Sequence, residues 1–264
     1  MPGDDQLRDP GRRRAPVSRI AALSDVHGNA AALEAVLADV SREKPDAVMV
    51  AGDLVLNGPE PALVIDVLRS LADDGALVIA GNTDIAVADF DYAAAFPWMT
   101  DGVPDAIVDA AEWAHDALGA ERVDWLRRLP SERRWRTDDD TLVLACHASP
   151  GSQTAGFDQG LEGSVTIERV ARTDARVIVC GHTHLPEVRD LGWKVIVNDG
   201  SAGYVFDGDP TASWALIDID DGEVRAEIRR TTFDTLSVAN AISARGLAGD
   251  VYRAATVRTG KLVR

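Results

Sequence analysis

The stretch that decides the fold runs Ile20-Ala21-Ala22-Leu23-Ser24-Asp25-Val26-His27-Gly28-Asn29: four apolar residues, then a polar loop holding an acid and a histidine two positions apart. Leu33, Val36, Leu37 and Val40 follow at helical spacing, so the segment predicts a strand, a functional loop and an amphipathic helix. The unit repeats. Ala47–Ala51 leads into Gly52-Asp53 and a second helical pattern through Leu63, Val64, Val67, Leu68 and Leu71, and Leu77–Ala80 leads into Gly81-Asn82-Thr83-Asp84. Three short apolar runs joined by helices predict buried, largely parallel strands.

From Ile85 to Leu129 the strand signal vanishes, and Ala-rich segments carrying Trp98, Trp113 and Trp125 predict a helical insertion over about 85–130. Strands resume at Leu142–Cys146, Val177–Cys180, Val195–Val197, Ala215–Ile219 and Val224–Ile228, the last two joined by an Asp220-Asp221-Gly222 hairpin turn. A small helix is expected after Asp234. The whole predicts an α/β fold: a four-layer αββα sandwich of two mixed sheets with a helical insertion. Residues 1–17 read as a flexible tail, being rich in Gly, Pro, Asp and Arg without periodicity, and 18–264 as the domain.

Composition narrows the function classes. With 43 acidic against 27 basic residues the formal charge is −16, which disfavours nonspecific nucleic-acid binding and acidic lipid surfaces. A small anionic substrate stays compatible, because bound cations can supply the local positive charge. No run approaches the roughly 18 apolar residues of a membrane span. The segment after Arg12-Arg13-Arg14 is too short in apolar residues for a signal peptide, so a cytoplasmic setting is expected. The two cysteines, Cys146 and Cys180, end apolar runs and read as buried thiols. Nothing in the pattern fixes an oligomeric state.

Four of the five histidines, His27, His147, His182 and His184, stand immediately after strand-like runs in loops that carry Gly or Asp. Strand carboxyl ends are where open α/β sheets bind ligands, so these loops are expected to converge. In Asp25-x-His27 and His182-x-His184 the spacing points two side chains the same way, which suits adjacent cations. Imidazole and carboxylate without thiolate favour manganese, with iron, zinc, nickel, cobalt or magnesium as alternatives.

The ordered set Asp-x-His, Gly-Asp, Gly-Asn, His and Gly-His-x-His, spread over Arg19 to Ile228, resembles the calcineurin-like metallophosphoesterase superfamily. Ser24-Asp25-Val26-His27-Gly28-Asn29 and Val197-Asn198-Asp199-Gly200-Ser201 resemble its small bacterial and archaeal phosphodiesterase branch. The protein Ser/Thr phosphatases, with Gly-Asp-x-Val-Asp-Arg-Gly, match less well, since this chain has Leu56-Asn57-Gly58 there. The resemblance implies two divalent cations. One would be held by Asp25, His27, Asp53 and His184, the other by Asp53, Asn82, His147 and His182, with Asp53 common to both.

It implies hydrolysis of a small phosphate ester, monoester, diester or nucleotide, by a metal-bridging hydroxide. Asp53, Asn82 and His182 would take part in catalysis. Asn29, Asn82 and Thr83 would meet the substrate; from their place in a Pro-bearing loop soon after Asn82, Tyr92, Phe96 and Trp98 are expected to wall the cleft, with one of them, Trp98 foremost, stacking on a substrate ring. The other readings are an inactive protein-binding scaffold, disfavoured by seven intact ligands, and a protein Ser/Thr phosphatase. Two departures stand out. Thr83 replaces the family's histidine, and a threonine hydroxyl is a poor general acid; Asp199 replaces a common proline. His115 reads as a residue on a solvated helix face, and with Asp84 it is one of the two other candidate proton donors.

Overall fold

A computed structural model describes residues 17–264. The expected tail, Val17 apart, and the Arg12–Arg14 run lie outside the described residues. The elements run β1 (Ser18–Leu23), α1 (Ala30–Glu43), β2 (Ala47–Ala51), α2 (Pro61–Asp73), β3 (Leu77–Ile79), α3 (Asn82–Asp89), α4 (Tyr92–Ala95), α5 (Asp105–Arg127) and β4 (Glu132–Arg136). The second half follows as β5 (Leu142–Cys146), α6 (Gly163–Val170), β6 (Val177–Cys180), β7 (Glu187–Asp190), β8 (Val195–Asn198), β9 (Ala212–Asp220), β10 (Glu223–Thr231), α7 (Thr235–Arg245) and α8 (Asp250–Thr259).

Two five-stranded mixed sheets result, ordered β10-β9-β1-β2-β3 and β4-β5-β6-β8-β7. Within them β1, β2 and β3 are parallel, and so are β5, β6 and β8. Alternation explains the packing. Ile20, Ala22 and Met49 of the first sheet meet Val143, Ala145, Val177 and Val197 of the second between the layers. Their neighbours Ala21, Leu23 and Val50 face outward under Leu33, Val36, Val64 and Leu68 of the helices. On the far side, Leu144, Ile178 and Ile196 pack on Phe157 and Val170. Both faces of every central strand are therefore buried, which is why these strands read as unbroken apolar runs. Each fully buried Leu or Ile contributes roughly 1.5–3 kcal/mol.

The αββα sandwich and all eight expected strands are present, with helices between β3 and β4 as expected. Asp221 and Gly222, at φ 51° and 79°, make the two-residue turn between Asp220 and Glu223, the backbone that suits a tight hairpin. Trp113 and Trp125 pack the insertion on the core. Gly119, at φ 68° and ψ 166°, breaks α5 into two helical stretches.

Other features differ from expectation. Strands β4 (Glu-Arg-Arg-Trp-Arg) and β7 (Glu-Val-Arg-Asp) carry no apolar run, because they are the two edges of the second sheet, where charged side chains block further pairing. Helix α6 also gave no clear signal, and two C-terminal helices stand where one was expected. His115 is not on a solvated face: it is half-buried, its Nδ1–H donates to the Val87 carbonyl at 2.7 Å, and its ring lies on Phe90.

Helices α7 and α8 are clamped to the loop after β2. Arg245 donates to the carbonyls of Asn57 and Gly58, both at 2.9 Å, and pairs with Asp250 at 2.6 Å, while Arg253 reaches Asn57 Oδ1 and Asp250. These three charged side chains are 5%, 4% and 7% exposed. Without Arg245 the Asp250 carboxylate keeps Arg253, but the carbonyls of Asn57 and Gly58 lose their donor. Arg245→Ala is therefore expected to lower unfolding stability by roughly 2 kcal/mol, read as a lower denaturant midpoint at unchanged slope.

Candidate metal centre

Six loops meet at the carboxyl ends of the parallel strands, three from each sheet, after β1, β2, β3, β5, β6 and β8. Backbone hydrogen bonds lock them together. Asp25 N–H donates to Gly52 O at 2.9 Å, His27 N–H to Asp53 O at 3.0 Å and Gly181 N–H to His147 O at 2.9 Å. Ala202 and Gly203 donate across the sheets to Ser24 O and Asp25 O at 2.8 and 3.0 Å. Asp25, His27, Asp53, His182 and His184 all adopt left-handed backbone, with φ between 52° and 69°. That conformation costs roughly 1–2 kcal/mol at each non-glycine residue and is held only because the surroundings over-determine it.

The imidazoles are aimed by backbone carbonyls. His27 Nδ1 lies 3.0 Å from Leu56 O and His147 Nδ1 2.8 Å from Ala51 O, while His184 Nδ1 contacts Tyr204 O. A carbonyl only accepts, so each Nδ1 carries the proton and each Nε2 is turned inward. His27 Nε2 and His184 Nε2 then face each other at 3.2 Å, and Asp25 Oδ1, 3.1 Å from His184 Nε2, is buried with no hydrogen-bond partner. Such a cluster needs a shared proton or a cation at its centre. Among the described residues, Asp25, His27, Asp53 and His184 offer ligand atoms that all lie within 4.8 Å of one another. All four residues are buried.

A second set of donors sits on the other side of Asp53. Asn82 Nδ2 donates to Ala95 O at 3.0 Å, which turns Oδ1 inward to within 3.0 Å of both His147 Nε2 and His182 Nδ1. Asp53 Oδ1 is 3.3 Å from His147 Nε2, and its Oδ2 is 3.7 Å from His27 Nε2, so one carboxylate presents an oxygen to each set. The Thr83 N–H fixes Oδ1 at 2.9 Å.

Electrostatics match. Burial opposes the charge on Asp53, yet His147 and His27 hold its carboxyl at about 2; burial likewise opposes the charge on His147, yet Asp53 carries its imidazolium up to about 10. The Asp53 charge is thus satisfied either by a proton on His147 or by a cation, and the two compete. Burial and the neighbouring His147 push His182 down to about 4, leaving it neutral.

Each expected residue has a definite place. The seven metal candidates, Asp25, His27, Asp53, Asn82, His147, His182 and His184, lie together. Trp98, 52% exposed, presents its ring edge-on to His182 at 6.2 Å, and Tyr92, Phe96, Pro97 and Met99 line an apolar pocket in the same insertion. Thr83 is 6% exposed and its hydroxyl has no partner. Asn29 is 1% exposed with both polar atoms engaged: Oδ1 accepts from Ala32 N–H as the cap of α1, and Nδ2 donates to Gly203 O.

Asp84 is no free acid, since its oxygens accept from Leu54 N–H and Gly81 N–H, both at 2.8 Å. Burial and then Asp53 raise it to about 7 against those two amides. The reading from sequence missed Ser24, which contacts Asp25, and Phe206, stacked on His184 at 4.1 Å. An aromatic five residues beyond Ser201 was the one available signal for the latter.

The calcineurin-like phosphoesterase superfamily domain matches residues 19–222, and the chain belongs to that superfamily of metal-dependent phosphoric ester hydrolases. An uncharacterized protein of Methanocaldococcus jannaschii is 26% identical over 235 residues, 82% of this chain and 88% of the relative. A symmetrical bis(5'-nucleosyl)-tetraphosphatase of Pectobacterium carotovorum is 32% identical over 127 residues, 48% of this chain and 41% of that enzyme, so the match spans less than half of it. A metallophosphoesterase from Sphaerobacter thermophilus superimposes with a TM-score of 0.71 at 25% identity, covering 93% of this chain and 100% of that one. A hypothetical protein from Pyrococcus horikoshii shares the fold, with a TM-score of 0.79 at 20% identity over 92% of this chain and 98% of that one. The buried Asp/His cluster is accordingly a divalent-metal site. No helix among the described residues is long and apolar enough to cross a membrane.

Gly81 permits the close approach on which the cluster depends, since a Cβ there would fall inside contact distance of Asp53 Oδ1 and Asp53 N. Gly81→Ala is expected to displace Asp53 and cut bound metal well below the wild-type content. Elemental analysis of protein passed through a desalting column checks this, and wild-type metal content in the variant would contradict it.

Proposed function

We propose that this chain hydrolyses a small phosphate ester, with a nucleotide diester or polyphosphate as the substrate class, at a centre of two divalent cations. The observation that carries the reading is the division of Asp53: one oxygen belongs to the set Asp25, His27 and His184, the other to Asn82, His147 and His182. Two donor sets sharing one carboxylate fit two ions, and oxygen and imidazole donors without thiolate fit manganese first. When bound, two such ions lower the pKa of a water and offset the charge on phosphoryl oxygens.

The protein's own groups do the rest. Asp53, pinned by Thr83 N–H, fixes the spacing of the two sets, and the Ala95 carbonyl keeps Asn82 Oδ1 facing the centre. Leu56, Ala51 and Tyr204 hold the imidazoles in one tautomer. His182, partly exposed, and Trp98 stand at the open side, where a substrate ring would rest. The likeness to the Pectobacterium enzyme supports a nucleotide, with its base against the insertion.

Thr83, Asp84 and His115 do not supply a leaving-group proton in this reading. The first is no acid near neutrality, the second accepts two amides, and the third is committed to the Val87 carbonyl. Activated aryl esters are therefore cleaved ahead of alkyl esters.

Purified protein is expected to take up two manganese equivalents per chain, and Asp53→Asn to lose both together with nearly all activity; one retained equivalent at full affinity would refute the shared carboxylate. Across a panel of aryl, alkyl and nucleotide esters, Trp98→Ala is expected to raise KM for nucleotides while rates on small aryl esters stay near wild type. Unchanged relative rates would remove Trp98 from substrate choice.

A further inference from the structure

Asp199, in the loop after β8, takes no part in the reading above, yet it sits one hydroxyl away from Asp25. Ser24 Oγ lies 2.6 Å from Asp25 Oδ2 and 2.5 Å from Asp199 Oδ1, with Gly200 O at 3.3 Å. Both carboxyl groups are 0% exposed.

A serine hydroxyl carries one proton. With both carboxyl groups ionised, one of the two short contacts would bring oxygens together with no hydrogen between them, in a site without water to screen the repulsion. One carboxyl must supply the second proton. Asp25 is the poorer candidate. Its Oδ2 also accepts from His182 N–H at 2.9 Å, and its Oδ1 faces the imidazoles of His184 and His27, where a ligand oxygen must be free of a proton.

Asp199 is the better one. Its Oδ2 is buried with no partner, a place where an ionised oxygen is costly and a neutral one far less so. Of the groups facing it, burial and Asp25 favour the neutral acid, while Ser24 and His147 oppose it, and the balance is strongly toward neutral. Ser213 Oγ donates to the Asp199 backbone carbonyl at 2.6 Å and leaves the side chain alone.

We propose that Asp199 is a positioning residue: its carboxyl O–H donates to Ser24 Oγ, Ser24 donates to Asp25 Oδ2, and the chain leaves Asp25 Oδ1 aimed at the space between His27 and His184. This rests on the metal reading given above. Gly181 makes room for it, since a Cβ at that position would collide with both Ser24 Oγ and Asp25 Oδ2. The direction of the chain distinguishes it from mere packing. If Ser24 instead donated to an ionised Asp199, then removing Asp199 would free the hydroxyl for Asp25 and strengthen the metal site.

The test is calorimetric titration of ion-free, full-length protein with manganese alone, for wild type, Asp199→Ala, Asp199→Asn and Ser24→Ala. An asparagine can donate its N–H to Ser24 as the acid does, so Asp199→Asn is expected to bind like wild type. Asp199→Ala and Ser24→Ala are expected to weaken one of the two equivalents by about 10-fold or more, the usual effect of losing an outer-shell partner. Unchanged or tighter binding in Asp199→Ala overturns the proposal, and so does Asp199→Asn binding as weakly as the alanine variant. Should Asp199→Ala fail to fold, the contrast between Asp199→Asn and Ser24→Ala decides in the same way. A wild type that takes up no manganese refutes the metal reading and this one with it, a failure visible before any variant is compared.

Discussion

The centre depends on the interaction between Asp53 and the imidazoles on either side of it. A carboxylate with a residue exposure of 3% would ordinarily lose its charge, because desolvation favours the neutral acid. Here His147 and His27 hold it ionised, and the carbonyls of Ala51 and Leu56, accepting from their Nδ1–H groups, keep both rings turned toward it. Those carbonyls belong to β2 and to the loop that Arg245 and Arg253 clamp from the C-terminal helices. A charge at the middle of the molecule is therefore tied, through two imidazoles, to elements at its rim. Left-handed backbone at five of the converging residues is the strain that this network offsets.

Neither sheet carries the site alone. The first contributes Asp25, His27, Asp53 and Asn82; the second contributes His147, His182 and His184. Four of the contacts that register the two halves gather at one place: Ala202 and Gly203 N–H on Ser24 O and Asp25 O, His182 N–H on Asp25 Oδ2, and Ser201 Oγ on Asp25 O. Asp25 accepts three of these four, so the first acid of the chain's opening motif is both a donor to the metal cluster and the hinge pin between the layers. A substitution there would disturb sheet registry as well as metal affinity, and loss of activity alone would not separate the two.

Much of this was legible in the sequence because burial on both faces leaves an unmistakable mark. Strands β2, β5 and β6 were expected over the residues they occupy, since each is a short apolar run ended by a polar loop. The seven converging side chains were equally visible, because each stands at the end of such a run. What escaped was set by context rather than by local pattern. Glu132–Arg136 and Glu187–Asp190 are strands only because an adjacent strand pairs with them. Asn29 resembles a binding residue in isolation, and only the start of α1 makes it a cap. Ser24 is invisible as a contact until β8 brings Asp199 across, 175 positions away.

The charge balance closes the argument for metal ions on grounds of binding as well as chemistry. At the centre stand the carboxylates of Asp25 and Asp53, and none of the converging side chains is a lysine or arginine. Arg245 and Arg253, the guanidinium groups tied to the adjacent loop, are consumed by Asp250 and backbone carbonyls. On a chain of formal charge −16, this site without cations would repel a phosphate, both locally and at long range. Bound divalent cations reverse the local sign and leave the far field negative. Phosphoryl oxygens are then attracted at contact range, inside the distance over which salt screens the exterior field. The global acidity that argues against nucleic-acid binding is thus compatible with phosphoester chemistry only if the cations are part of the working enzyme.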